Sequence, residues 1–140
     1  MRALSLWRPW AELIAERRKL IETRRWRMVP TFLLGQRLAI HAATRLDEGA
    51  IARIFGETGR DVSGVEISPG GCIVCHARVH AVTLLEDTPH ERMRALCECD
   101  GLVGIHLTDI RPLRPPRLFR GRQGVFNVPD DLRSLEPCRV

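Results

Sequence analysis

The chain has almost no lysine. Of its 22 basic residues, 21 are arginine and only Lys19 is lysine. A guanidinium stays charged and binds carboxylates or phosphates through a fork of donors, whereas an ammonium is compact and can lose its proton when buried. A single ammonium in a chain that otherwise uses arginine therefore points to a specific chemical role for Lys19.

Long apolar runs and glycine-rich nucleotide loops are also lacking. No stretch approaches the roughly 20 apolar residues of a membrane span, and the first nine residues are too short and too interrupted for a signal peptide. The chain has no glycine-rich phosphate loop and no G-x-S-x-G motif. We therefore expect a cytoplasmic protein without membrane association, and its 140 residues predict a single domain over 1–140.

Five cysteines raise the question of a metal or haem site. Cys72, Cys75 and His76 match the C-x-x-C-H haem attachment pattern, and Cys97 with Cys99 would supply further zinc ligands. Alternating apolar residues predict a strand here, on which residues three apart face opposite sides. Cys72 and Cys75 should then diverge, so the sequence predicts no metal site and no cofactor.

The excess positive charge is concentrated in two segments. Residues 1–30 contain eight basic and three acidic residues, an excess equal to the formal net charge of +5 for the whole chain. Residues 111–122 contain five arginines and no acidic residue. If these segments meet in the fold, they form one positive face, which is typical of proteins that bind nucleic acids or nucleotides.

Hydrophobic periodicity predicts an α+β, mainly β protein. The predicted strands are residues 3–6, 22–30, 38–42, 71–85, 103–108 and 125–128, and the predicted helices start at Pro9, Thr44 and Thr88. Residues 56–70 are rich in glycine and predict a long mobile loop, which is a candidate lid that either covers the cleft or points away from it. Because strands and helices do not alternate regularly, we expect a pseudo-barrel of five or six mixed strands with two or three flanking helices.

Lys19 belongs to a short charged motif, Lys19-x-x-Glu22-x-Arg24. Glu22 and Arg24 should share one face of a strand with Trp26, and Lys19 lies at the preceding turn. In a binding interpretation, Arg24 forks onto a phosphate or a base edge and Trp26 stacks a base. In a catalytic interpretation, Lys19 stabilises an oxyanion and Glu22 is the general acid or base, with Ser5 among the candidate nucleophiles. In a purely structural interpretation, the three charges pin the strand to the helix.

The motif resembles the G-x-K-x-x-E-x-R signature of ASCH domains, which belong to the PUA-like superfamily; Arg17 stands at the position of the signature's glycine. The resemblance continues in order along the chain, through residues 4–14, 39–42, 71–74 and 115–126. It implies a PUA-like barrel with a cleft that faces RNA, nucleotides or modified nucleosides. Within that cleft we expect Ser5 and His41, with Arg122 and Gln123 at the mouth.

The resemblance also implies alternatives for function. Some members of the family resemble hydrolases of acylated cytidine, which carry a threonine nucleophile where this chain has Glu22, and others resemble metal-dependent ribonucleases. Our first expectation is an RNA- or nucleotide-binding domain. The alternatives are an amidohydrolase acting on N4-acylated cytidine, a ribonuclease that would use a divalent metal, or a protein-interaction module whose arginines at 111–122 contact an acidic partner.

Overall fold

The computed structural model describes residues 1–138 and contains three α-helices and one six-stranded sheet. The strands are β1 (Arg2–Arg8), β2 (Ile21–Arg24), β3 (Arg37–Leu46), β4 (Cys72–Leu84), β5 (Val103–Leu118) and β6 (Val125–Asn127). The helices are α1 (Trp10–Ala15), α2 (Ala50–Thr58) and α3 (Pro89–Ala95), with 3₁₀ turns at Thr31–Leu33 and Leu132–Ser134. None of the helices in the described part of the chain has the length and apolar character needed to cross a membrane.

The sheet is mixed and strongly curled. Its strand order is β2-β5-β4-β3-β1-β6, in which β1 and β3 are parallel and the other neighbours are antiparallel. Arg24 on the edge strand β2 donates a hydrogen bond to the carbonyl of Ser5 on β1, over 2.8 Å, so the curl brings β2 close to the strand next to the opposite edge. The predicted α+β pseudo-barrel is confirmed, with six strands, three helices and an opening between its edges.

The main core joins α1 to β1, β3, β4 and β5, and it corrects one prediction about the cysteines. Cys72 and Cys75 both belong to this core cluster, although the alternation of the strand predicted that they would diverge. The pairing of β4 with β5 shifts register between Ile73 and Cys75. A bulge of this kind adds a residue to one strand and breaks the period of two.

Several predicted element boundaries are also wrong. The strand predicted for residues 22–30 ends at Arg24, and β5 continues through the proline-containing segment to Leu118. Thr44 does not cap a helix, because β3 continues to Leu46 and α2 begins after Gly49. The capping box of α3 is confirmed: the Thr88 hydroxyl accepts from the amide of Glu91, whose carboxylate accepts from the amide of Thr88.

The long segment after α2 packs against the body of the domain. Val62 and Val65 are buried in a small cluster with Leu13, Ile54 and Leu96. The amide of Ser68 donates to the carboxylate of Glu12 on α1 over 2.8 Å. These contacts hold the segment against α1, and residues 56–70 line neither part of the cleft described next.

Candidate functional site

Two adjoining hollows open between β1, β2 and the closing loop 119–124. One has a volume of about 930 Å³ and is called here the arginine hollow; the other, of about 540 Å³, is called the lysine hollow. Ser5, Trp7 and Arg24 line both, so the two hollows form one cleft. The arginine hollow is completed chiefly by His41, Phe119, Arg120, Gly121, Arg122 and Gln123. The lysine hollow is completed chiefly by Trp10, Lys19, Glu22, Thr23, Arg25, Asp47 and Cys97.

The lysine hollow has Lys19 in its wall, with the ammonium turned into the protein. Lys19 is 1% exposed, and its Nζ donates to the carbonyl of Ala95, the last residue of α3. The same nitrogen lies 5.0 Å from the centroid of the Trp10 ring. Carbonyls at a helix C-terminus have no partner within the helix and carry partial negative charge. Lys19 therefore satisfies the end of α3, a task that suits a compact ammonium.

Glu22 connects this ammonium to Arg24. The carboxylate of Glu22 is buried, with Oε1 3.8 Å from Lys19 Nζ and Oε2 3.0 Å from Arg24 Nε. The latter contact is an ion pair whose angle falls short of a hydrogen bond. The three charged groups of the motif thus lie together, as their spacing predicts. Arg24 is the most exposed of them, with 26% of its side chain accessible, and it faces both hollows.

The floor of the arginine hollow contains a hydrogen-bonded serine and histidine. Ser5 Oγ lies 2.9 Å from Nδ1 of His41, and Nε2 of His41 lies 2.7 Å from the carbonyl oxygen of Phe119. His41 is almost fully buried, and that burial lowers the pKa of its imidazole, against the opposing effect of the Phe119 carbonyl. The imidazole is therefore neutral at pH 7, since its ordinary pKa is 6.5.

The closing loop forms the outer wall of the arginine hollow. Among the described residues, nothing accepts a hydrogen bond from the amides of Gly121, Arg122 and Gln123. A Cβ at Gly121 would lie 2.5 Å from Cε1 of His41 and 3.2 Å from Ser5 Oγ, so only glycine allows the loop to approach this closely. The exposed side chains of Arg122 and Gln123 stand at the mouth, where the sequence places them.

The aromatic side chain exposed in the cleft is Trp7, whereas the sequence singled out Trp26. Trp7 lines both hollows and is 46% exposed, with the guanidinium carbon of Arg45 3.9 Å from its ring centroid. Trp26 lies beyond the end of β2, packs partly on the core and contributes to neither hollow. The alternation along β1 contains the missed signal, since Trp7 is two residues from Ser5 and shares its face.

Polar groups at the rim of the lysine hollow are fixed by neighbouring side chains. The indole Nε1 of Trp10 donates to Asp47 Oδ2 over 3.0 Å. Burial alone would raise the pKa of Asp47, but the hydrogen bonds from Trp10 and Arg53 outweigh it and leave that pKa below its ordinary value. Burial raises the pKa of the Cys97 thiol, which lies 3.8 Å from the Thr23 hydroxyl. This thiol is therefore protonated at neutral pH.

The side chains of the cleft do not form a metal site. Within residues 1–138, no three histidine, cysteine, aspartate or glutamate side chains lie close enough together to hold an ion. The carboxylates of the cleft, Glu22 and Asp47, are each occupied by neighbouring cations. The chemistry of the cleft is thus that of arginine, a buried lysine, a neutral imidazole, hydroxyl groups and an exposed indole.

The fold and the motif identify the class of protein. Residues 4–117 match the family model of the ASCH domain, and the chain belongs to the ASCH domain family. A crystal structure of ASCH from Zymomonas mobilis is similar, with a TM-score of 0.59 at 17% identity, over 95% of this chain and 90% of that one. Two variants of that protein give TM-scores of 0.57 and 0.58 at 16% and 18% identity, again over 95% of this chain and over 93% and 91% of theirs. No curated protein sequence matches the chain.

Proposed function

We propose that this ASCH domain binds single-stranded RNA or a nucleotide-type ligand in the cleft formed by the two hollows. The observation that carries the proposal is that the two arginine-rich segments of the sequence meet there. Arg24 and Arg25 come from the first segment, and Arg120 and Arg122 come from the second. A concave surface with an excess of positive charge concentrates phosphate-bearing ligands.

Different side chains of the cleft bind different parts of the ligand. Arg120 and Arg122 are exposed and have no carboxylate partner among the described residues, so their guanidinium groups are available to phosphates. Trp7 presents its indole where both hollows meet, and stacking of a base on such a ring contributes roughly 1–3 kcal/mol. The buried Glu22 keeps Arg24 in place. Together these groups recognise phosphate and base without requiring a particular sequence.

The test is the salt dependence of RNA binding, with a matched pair of arginine variants. Affinity for a short single-stranded RNA should fall with salt, with a slope of roughly −0.7 for each phosphate neutralised. Arg122→Gln should weaken binding about tenfold and reduce the magnitude of the slope by roughly 0.7, because one phosphate contact is lost. Arg114→Gln is the control, since Arg114 is exposed and lines a separate groove that shares no residue with the cleft. Equal loss of affinity in both variants, or no binding by the unmodified protein, would reject the proposal.

A second candidate is a hydrolase in the same cleft, either an amidohydrolase of N4-acylated cytidine or a ribonuclease. The observation that favours it is the placement of Lys19, Glu22 and Thr23 around a hollow whose volume suits a nucleoside. Release of free cytidine from N4-acetylcytidine would support the amidohydrolase, and shortened RNA after incubation would support the ribonuclease. A stable complex with an acidic protein that survives loss of Lys19 but not of the arginines in 111–122 would instead support a protein-interaction module.

A further inference from the structure

The serine–histidine pair on the floor of the arginine hollow has a defined proton arrangement. A backbone carbonyl only accepts hydrogen bonds, so the imidazole nitrogen next to Phe119 must carry the ring proton. The other ring nitrogen of His41, Nδ1, then has a free lone pair, and the Ser5 hydroxyl donates to it. A serine hydroxyl that donates to a neutral imidazole is the arrangement in which histidine can remove the proton of a nucleophile.

The surroundings of the pair provide the remaining requirements for acyl transfer. The Phe119 carbonyl orients the imidazole and stabilises its protonated form, the role that a carboxylate has in a catalytic triad. The amides of Gly121, Arg122 and Gln123 have no acceptor among the described residues and are available to a developing oxyanion. Ser5 lines both hollows, so an acyl group can occupy one of them while the rest of the substrate occupies the other.

The charged groups that line the arginine hollow together with His41 indicate the class of substrate. They are Arg24 from β2 and Arg120 and Arg122 from the closing loop, and no carboxylate of the described residues lines the arginine hollow. We propose that Ser5 is the nucleophile and His41 the general base of a hydrolase that acts on acyl esters of phosphate-bearing alcohols. This activity uses His41 as its base, whereas the catalytic interpretation of the Lys19 motif uses Glu22, and it does not depend on the proposed binding of RNA.

The reaction balances with water as the only co-substrate. Ser5 Oγ attacks the acyl carbonyl while its proton passes to Nδ1 of His41, and the resulting oxyanion is held by the loop amides. The ester C–O bond then breaks, the alcohol leaves with the proton from Nδ1, and the acyl group remains on Ser5. Water attacks this acyl-serine with His41 again as base. The carboxylic acid is released, and the Ser5 hydroxyl is regenerated.

A fluorophosphonate probe and an acetylated nucleotide test the proposal directly. The probe should label the protein with loss of fluoride, and mass spectrometry should place the adduct on Ser5. Hydrolysis of 2′(3′)-O-acetyl adenosine 5′-monophosphate should exceed that of the acetylated nucleoside without phosphate, because the arginines bind the phosphate. The labelling rate should rise with pH through a midpoint below 6.5, since burial lowers the pKa of His41 from that ordinary value.

Three variants separate a catalytic pair from a structural one. Ser5→Ala should abolish labelling and hydrolysis, whereas Ser63→Ala, at an exposed serine far from the cleft, should retain both. His41→Gln should lower the labelling rate by about 100-fold or more, with folding verified by circular dichroism. An unlabelled wild-type protein that does not hydrolyse the acetylated nucleotide would overturn the proposal. Labelling that persists in Ser5→Ala would overturn it equally, and neither result bears on whether RNA binds.

Discussion

The two hollows of the cleft differ in the contacts that their charged side chains make. In the lysine hollow, Lys19 and Glu22 are buried and make their contacts with Ala95, with each other and with Arg24. In the arginine hollow, Arg120 and Arg122 have no ion pair among the described residues. Lys19 and Glu22 of the lysine hollow therefore stabilise the fold, whereas Arg120 and Arg122 of the arginine hollow are available to a ligand.

This difference changes the interpretation of the signature motif. A lone ammonium in an arginine-rich chain suggested chemistry, but its Nζ is directed to the end of α3. The member of the motif that faces both hollows is Arg24, which is held by the buried carboxylate of Glu22. The contacts of Lys19 and Glu22 therefore support the cleft, and Arg24 is the member of the motif most exposed to it.

The largest expected effect is a difference in stability between variants of Lys19 in the lysine hollow and a variant of Arg122 in the arginine hollow. Lys19→Met should destabilise the domain by about 3 kcal/mol, because it leaves Glu22 without one of its cations and the Ala95 carbonyl without a donor. Lys19→Arg should cost less, since it keeps the charge but places a larger group in a buried site. Arg122→Met in the arginine hollow should change stability by less than about 0.5 kcal/mol, as exposed substitutions usually do.

Chemical denaturation of these three variants measures the comparison. If Lys19→Met unfolds at the same denaturant concentration as the wild type, Lys19 does not stabilise the fold. The ammonium of the wild-type protein would then be free to bind a ligand. A large destabilisation in Arg122→Met would show that Arg122, in the arginine hollow, also stabilises the fold. Either result would remove the distinction between the hollows.

The second effect is the pH dependence of stability that originates at His41. Burial lowers the pKa of His41 in the folded state, so the unfolded chain binds more protons as the pH falls below 6.5. Stability from this residue is therefore complete above pH 6.5 and is lost as the pH falls towards the folded-state pKa, with a limiting slope of about 1.4 kcal/mol per pH unit.

Comparison of variants assigns that slope to the correct histidine. Burial also lowers the pKa of His76 and His106, which contribute slopes of the same sign. Urea unfolding between pH 5 and pH 8 should show a smaller slope in His41→Gln than in His106→Gln, because His41 is the more deeply buried of the two. An unchanged slope in His41→Gln would mean that the imidazole is not held neutral on the floor of the arginine hollow.

The sequence predicts the fold better than the details of the site, for reasons that particular residues show. The presence of the six strands and the Thr88 capping box depend on neighbours along the chain, and both are found where the sequence places them, apart from the strand boundaries corrected above. The bulge at Cys75 and the continuation of β5 to Leu118 depend on pairing with other strands. No local pattern reports such pairing.

Within the site, spacing brings Lys19, Glu22 and Arg24 together but does not give the direction of a side chain. The contact of Lys19 with Ala95 joins residues 76 positions apart. The Ser5–His41 hydrogen bond joins residues 36 positions apart. Such contacts follow from the curl of the sheet and the docking of α3. The pattern of residues along the chain does not report either of these.

The smallest expected effect on stability concerns the turn at Arg17, which leads into Lys19. Arg17, which stands where the family signature has glycine, has a left-handed backbone with φ 61°. This conformation costs an L-residue roughly 1–2 kcal/mol. Arg17 offsets the cost with a hydrogen bond of 2.8 Å from its guanidinium to the carbonyl of Ile110. Arg17→Gly removes both the strain and the bond, so stability should stay within about 1 kcal/mol of the wild type.

Arg17→Ala is the matched control, because alanine keeps the strain but cannot make the bond. It should be about 1–2 kcal/mol less stable than Arg17→Gly when the two are compared by urea unfolding. Equal stability of the glycine and alanine variants would show that the backbone at this turn relaxes out of the left-handed region. The position of Lys19 would then not depend on a fixed turn, and its contacts with Glu22 and the end of α3 would be what holds it in place.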